Sequence, residues 1–433
     1  MASTFRDETQ LVFISLLSRF VVILIQIVGR SILSDYDTST ERCLTQTSES
    51  YKVCNTLTFV LCANLKWDGE YFISIAEEGY QYEQTMAFFP LLPGLCRVLE
   101  ESVSLPVRRL CNFNLRVSIL FSAFLLNLCL FVLTVVALYH VVYIVCGTKR
   151  VAMISSILFC VSPASVFMSV MYSEILFSFC TFVGLWLLLT GRLWLSSLCF
   201  ALSSAARSNG IVNCGFIAYS CISRLWNQRQ CLKNTILHIL VCAIQCFITL
   251  LPFLAFQVYG YFQFCTRGSD RPWCYDYIPL MYSFIQKQYW NVGLFRYYEL
   301  KQLPNFFLAS PVVVLSTIYV VVYFKSALER QFNPDFHIRK KCYNGGVWSV
   351  TALPFVVHLA FLLLVGTTSM HVQVITRLIC SSTPGFYWFA GHVMDLDGKE
   401  FTHSQLCRCL VGLYFVTFSV VGTLMHSTFY PWT

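Results

Sequence analysis

Long apolar runs alternate with short polar connectors along this chain. Apolar positions gather at about 11–33, 118–146, 151–171, 175–190, 193–206, 211–223, 234–256, 306–324, 347–366, 378–394 and 409–427. A helix that crosses a bilayer needs about 20 such residues, because the hydrocarbon core is about 30 Å thick. The pattern predicts an all-α polytopic membrane protein, a bundle of about eleven transmembrane segments forming a single domain over residues 1–433. The runs at 193–206 and 211–223 are short for a crossing and predict half-helices or a broken hairpin buried in protein. The run from Leu11 to Leu33 is too long for a signal-peptide core, and no small-residue cleavage site follows it. It is expected to be an uncleaved first span, with Arg19 snorkelling to one interface.

Two connectors are long, 34–117 and 257–305. The first holds WDGEYFISIAEEGY, Trp67 to Tyr80. Phe72, Ile75, Ala76 and Gly79 form one stripe at helical spacing, and Glu70, Ser74, Glu77 and Glu78 take the other side. That predicts an amphipathic helix lying along the membrane surface. Asp68 stands at its start, where a carboxylate serves as an N-cap or, ionised, as a general base. Trp67 suits an interface anchor. AFFPLLPG follows at Ala87–Gly94, its prolines shaping a rigid loop. The second long connector, Pro272 to Phe306, is dense in Tyr, Trp and Phe, with Lys287, Arg296, Glu299 and Lys301 among them. Such a surface suits sugar faces and equally an interfacial aromatic belt.

Orientation follows from the short basic connectors: Lys149–Arg150; Arg224, Arg229 and Lys233; and Lys325, Arg330, Arg339, Lys340 and Lys341. With an inside N-terminus all three lie on the cytoplasmic side. The two long loops then share the opposite face with three small polar sites. These are Tyr172–Ser173–Glu174, the ARSNG turn of Ala206–Gly210 with Arg207 and Asn209, and MHVQVITR from Met370 to Arg377, with His371. Arg207 and Arg377 are suited to hold a phosphate by bidentate hydrogen bonds.

Composition narrows the class. Charged residues make up 12% of the chain, against about 25% in soluble domains. That excludes an ordinary soluble enzyme and a disordered protein. The excess of 30 Lys+Arg over 22 Asp+Glu is scattered between apolar runs, so it forms no nucleic-acid-binding patch. Most of the 21 cysteines lie inside apolar runs and read as small buried hydrophobes. Cys54 with Cys62, or Cys265 with Cys274, is placed to pair if the long loops face an oxidising lumen. Asp35–Tyr36–Asp37 lies on the functional face and makes Asp35 a minor candidate, whereas Asp395–Leu396–Asp397 reads as a solvated turn. No Gly-rich phosphate loop, HExxH, GxSxG or internal repeat occurs.

WDGEYFISIAEEGY followed by AFFPLLP resembles the first lumenal loop of the PIG-V family of GPI mannosyltransferases. SPASVFMSVMYSEILF, RSNG, PWC, PLMYSFIQKQYWNVGLFRYYELKQLPNF, MHVQVITR, SSTP followed by YWF, and the terminal PWT resemble the same family in the same order. The long second-loop segment is the most specific of these. The cytoplasmic connectors and residues 38–60 carry little resemblance. The family implies a GT-C-type bundle in the endoplasmic reticulum membrane with its site on the lumenal side. It implies dolichyl-phosphate mannose as donor and a GPI precursor bearing one mannose as acceptor, the second mannose being added in α1,6 linkage with inversion. On that resemblance Asp68 is the expected general base. Arg207 and Arg377 are expected to meet the leaving phosphate, with Lys301 and Arg296 in reserve. Trp67, Tyr172, Glu174, Asn209, Tyr298 and His371 complete the expected substrate-binding set. No metal or cofactor is expected, because the leaving group is already a good one. The expected partners are the two lipid substrates and the membrane, with no nucleic acid. The rival readings are a mannosyltransferase for another lipid or protein acceptor, and a non-enzymatic transporter or scaffold. A transporter should carry ionisable residues at mid-span or paired broken helices, whereas the polar residues here gather at one face.

Overall fold

The apolar runs become helices. The computed structural model describes residues 2–36, 52–227, 232–266, 271–332, 346–395 and 403–432. In chain order its helices are α1 Ala2–Ile32, α2 Lys52–Ala63, α3 Asp68–Glu78, α4 Leu91–Leu99, α5 Leu105–Cys111, α6 Leu115–Cys146, α7 Lys149–Cys160, α8 Glu174–Leu189 and α9 Leu193–Ala206. They continue with α10 Cys214–Asn227, α11 Leu232–Phe264, α12 Met281–Trp290, α13 Leu303–Phe332, α14 Leu353–Ser369, α15 Ile375–Ser382, α16 Pro384–Asp395 and α17 His403–Ser427.

Among the described residues six helices are long and apolar enough to cross a membrane: Phe5–Ile32, Leu115–Cys146, Asn234–Phe264, Leu300–Glu329, Val350–Ser369 and Gln405–Ser427. The other five apolar runs form shorter pieces. The run at 151–171 stops at Cys160 and continues as a turn and a 3-10 segment, Ser165–Met168. The run at 378–394 breaks between Ser382 and Pro384, where proline cannot extend the helix before it. α8, with 16 residues, is only about 24 Å long. It packs between α6 and α9, and α9 also packs on α11. α9 is the short piece expected at 193–206, but it is only half buried: Trp194, Leu195, Leu198 and Leu202 stay exposed. The central helix is α6, which packs on α1, α2, α7 and α8.

Arg19 does not snorkel. It is buried, and its guanidinium donates to the carbonyls of Cys160 (3.0 Å) and Ser165 (2.9 Å) and to the hydroxyls of Ser165 (2.6 Å) and Ser169 (2.7 Å). The break after α7 frees carbonyl oxygens that no longer have helical N–H partners. Arg19 satisfies them from the neighbouring helix, with the Phe131 ring 3.8 Å beneath its charge.

The two ends of the bundle are distinct. At the start of α1, Asp7 pairs with Lys149 (3.3 Å) and Glu8 with His140 (3.0 Å); Arg150 pairs with Asp395 at 2.5 Å. At the far end of α1, Gln26 donates to Asn64 (3.2 Å) and Arg30 to the Phe59 carbonyl (3.0 Å). From Asp7 to Gln26 and Arg30 the axis of α1 rises by about 30–35 Å. The basic connector at Lys149 and the chain approaching Asp68 therefore lie at opposite ends.

The long connectors pack on one another. Ile75, Tyr80, Met86 and Phe89 from the first share a core with Phe256, Trp273, Met281 and Ile285. Buried Glu83 ties them together. It accepts from Arg271 through both carboxylate oxygens, from the Trp273 indole (2.6 Å) and from the Tyr289 hydroxyl (2.8 Å). The Cys265–Cys274 disulfide, one of the expected pairings, closes the same region. Cys62 is also disulfide-bonded, whereas the side chain of Cys54 lies outside the described residues, as do Asp37 and Asp397.

Candidate active site

The turn from α2 into α3 sets the first functional carboxylate. Trp67 takes φ 50°, a left-handed conformation that non-glycine residues adopt only under constraint. Asp68 is the first residue of α3 and does not cap it. The Asp68 N–H donates to the Tyr172 hydroxyl (3.1 Å), and the N–H groups of Gly69 and Glu70 are used by the carbonyls of Lys66 and Trp67. The Asp68 carboxylate instead accepts from Arg377 Nη1 at 2.9 Å. That side chain is 36% exposed, so an incoming hydroxyl can reach it.

Arg377 comes from α15. Its guanidinium lies 4.9 Å over the Phe167 ring and 5.5 Å from the Tyr172 ring centroid. The same Nη1 stands 3.6 Å from Glu174 Oε1, and Arg207 Nη1 stands 2.5 Å from that oxygen on the other side. Glu174, at the head of α8, is 1% exposed, and its Oε2 makes no hydrogen bond among the described residues. A buried carboxylate is tolerated only beside compensating charge. Glu174 therefore holds the two arginines close together. Gly210 makes this possible: a Cβ there would sit 2.4 Å from the backbone of Ser203 and Ser204. Only glycine lets the ARSNG turn fold back on α9 and bring Arg207 to Glu174. Asn209 on that turn donates to Ser382 at the end of α15 (3.0 Å).

Asp68, Tyr172, Glu174, Arg207 and Arg377 thus form one connected cluster, with Asn209 bracing its edge and Trp67 at the strained turn beside it. The remaining expected residues belong to a second set. His371 donates to the Trp290 carbonyl (2.5 Å) and stacks on Tyr297 (4.6 Å). Burial lowers its pKa, against the raising effect of that hydrogen bond. Tyr298 donates to the Thr367 carbonyl (3.0 Å), and Arg296 to Asn291 (3.3 Å). Lys301 pairs with Glu299 at 2.5 Å and is 72% exposed. None of these bonds reaches Asp68 or Arg377. They fasten the second long connector to its own turns and to the end of α14.

Sequence reasoning passed over Lys66. Its buried ammonium lies 3.4 Å from Asp35 and 3.7 Å over the Phe429 ring. Asp35 is engaged there rather than with Arg377. The only available signal was that Lys66 adjoins Trp67 and Asp68. Phe167, which carries Arg377, lies in an apolar stretch that reads as core.

An accessible carboxylate, Asp68, thus stands beside two guanidinium groups that share the buried Glu174. The family model described as Mannosyltransferase (PIG-V) matches residues 8–433. The chain is 36% identical over 436 residues to GPI alpha-1,6-mannosyltransferase 2 of Cricetulus griseus, covering 85% of this chain and 87% of that one. It is 35% identical over 442 residues to the human protein of the same name, with the same coverage of 85% and 87%. Among solved structures it is similar in fold to the apo crystal structure of the Archaeoglobus fulgidus oligosaccharyltransferase, with a TM-score of 0.50 at 11% identity over 96% of this chain and 56% of that one.

Proposed function

The chain belongs to the PIG-V mannosyltransferase family, and on that premise we propose that it adds the second mannose, in α1,6 linkage, to a GPI precursor already bearing one. It is a multi-pass membrane mannosyltransferase with a GT-C-type fold. In this reading dolichyl-phosphate mannose is the donor and the endoplasmic reticulum membrane the location. The observation that supports the acceptor and linkage is the 36% identity to GPI alpha-1,6-mannosyltransferase 2, and the Asp68–Arg377 pair backed by Glu174 and Arg207 supplies groups suited to the chemistry.

The donor mannose is β-linked to phosphate and the product is α-linked, so the anomeric carbon inverts. One displacement suffices. The acceptor hydroxyl oxygen bonds to the anomeric carbon as the carbon–oxygen bond to phosphate breaks. The hydroxyl proton passes to Asp68, and dolichyl phosphate leaves with the bonding electrons. A positioned base contributes about 10²–10⁴-fold to such a step. Arg377 and Arg207 stabilise the charge that develops on the departing phosphate. Phosphate oxygens arriving at Arg377 compete with Asp68 for its guanidinium, which loosens the ion pair and leaves the carboxylate to the acceptor. The deciding assay incubates the purified protein with dolichyl-phosphate mannose and mono-mannosylated GPI lipid. A new α1,6-linked mannose is expected; an unaltered glycolipid, or a different linkage, overturns the reading.

Residues 34–117 and 257–305 are assigned to the lumen. The support is the basic Lys149–Arg150 connector at the end of α1 opposite Asp68 and the preference of such connectors for the cytoplasm. A glycosylation sequon installed near Cys43 should be modified in cells, and one near Asn333 should not. The reverse pattern would turn the protein over.

A further inference from the structure

The chain from His426 to Trp432 has no role in the reaction as described, yet it lies against the cluster. The tail is folded back on α17: a Cβ at Gly422 would meet the Trp432 indole at 2.3 Å. The Thr428 carbonyl accepts from the Tyr36 N–H (2.9 Å), and Tyr430 packs on Tyr36 (5.4 Å). This fixes the tail to the chain just beyond α1.

Two rings of the segment meet the site. Phe429, itself held at φ 60°, packs edge-on against Trp67 (6.1 Å) and lies under the Lys66 ammonium (3.7 Å). It therefore supports both residues that lead into Asp68. A strained residue such as Trp67 keeps its conformation only while its surroundings impose it. His426, 1% exposed, sits edge-on to Phe167 (5.4 Å) and Tyr172 (5.7 Å). Those are the two rings beneath the Arg377 guanidinium. Neither His426 ring nitrogen makes a hydrogen bond among the described residues, so its contribution comes from the shape of the ring.

We propose that Phe429 and His426 are positioning residues of the transferase: Phe429 sets Asp68 through Trp67 and Lys66, and His426 sets Arg377 chiefly through Phe167, the nearer of the two rings to the guanidinium. The proposal rests on the roles given to Asp68 and Arg377 above. It divides the tail into two effects on one reaction. A base displaced by a fraction of an ångström slows transfer without altering donor binding, whereas a displaced guanidinium weakens the hold on the donor phosphate.

The test uses the full chain with dolichyl-phosphate mannose, and counts rate per donor-binding site so that unfolded protein drops out. Phe429→Ala should lower kcat about 10- to 100-fold with donor KM unchanged, and Phe429→Tyr should recover most of the rate. His426→Ala should raise donor KM about tenfold with kcat per site largely kept. His426→Phe, which keeps an aromatic ring against Phe167 and Tyr172, should hold donor KM near that of the unmodified protein. Asp68→Asn and Arg377→Ala run in parallel. If those two lose transfer while Phe429→Ala and His426→Ala behave normally, the proposal fails and the catalytic assignments stand. If kcat and donor KM change together in both tail variants, the division of roles is wrong. Full activity in Asp68→Asn and Arg377→Ala would overturn the assignments and the proposal with them.

Discussion

Asp68→Asn protein should fold and bind donor normally while transferring mannose about 10²-fold more slowly, or worse. The exchange keeps the size of the side chain and an oxygen that accepts from Arg377. It removes the ability to take a proton at neutral pH. A helix-capping role would predict a different outcome, because Asn caps about as well as Asp and the cost would be a few tenths of a kcal/mol at most. The structure already separates the two roles: the N–H groups at the head of α3 are occupied by Tyr172, Lys66 and Trp67. The lost ion pair is partly exposed and so contributes only about 0–1 kcal/mol to stability. Single-turnover transfer at saturating donor is the measurement. A normal rate from well-folded Asp68→Asn protein would sink the base assignment, and Asp35 would be the next carboxylate to exchange.

Arg377→Ala should carry the second largest effect, a fall in kcat/KM for the donor. A charge-assisted hydrogen bond contributes about 1.5–3 kcal/mol, which corresponds to roughly 10- to 150-fold. The substitution also strips one of the two cations from buried Glu174, leaving Arg207 alone beside it. Some loss of thermal stability should accompany the kinetic defect. Arg377→Lys should rescue only part of the rate, since an ammonium restores the charge without the planar fork. Arg207→Ala should act in the same direction on the donor. Donor kinetics unchanged in both alanine variants would place the phosphate elsewhere.

The helical character of the apolar runs, the amphipathic helix at Asp68–Glu78 and the Cys265–Cys274 pairing were legible in the residues because each is a local matter. A run of apolar side chains must leave water wherever the chain goes. A stripe at helical spacing, as in Phe72, Ile75 and Ala76, buries one face whatever it meets, and these residues are buried in the fold. Asp68, Tyr172, Glu174, Arg207 and Arg377 were each conspicuous as polar residues at the edges of apolar runs. Their assembly was not legible. Arg377 lies 309 residues from Asp68 along the chain, and no periodicity links positions so far apart. Only the packing of α8 on α6 and α9, and of α15 on α8, brings the charges within reach. Tyr298, Lys301 and His371 looked equivalent to them in sequence, yet in the fold they bond to Thr367, Glu299 and Trp290 and not to the cluster. Arg19 shows the same division. Its place in an apolar run suggested an interface, but the break after α7 had left carbonyls unpaired inside the bundle, and a buried acceptor recruits whatever donor can reach it. Sequence alone determined where this chain leaves water and which side chains could do chemistry. Tertiary structure decided which of them meet, because Coulomb and hydrogen-bond energies depend on distances of a few ångströms that only the packed fold imposes.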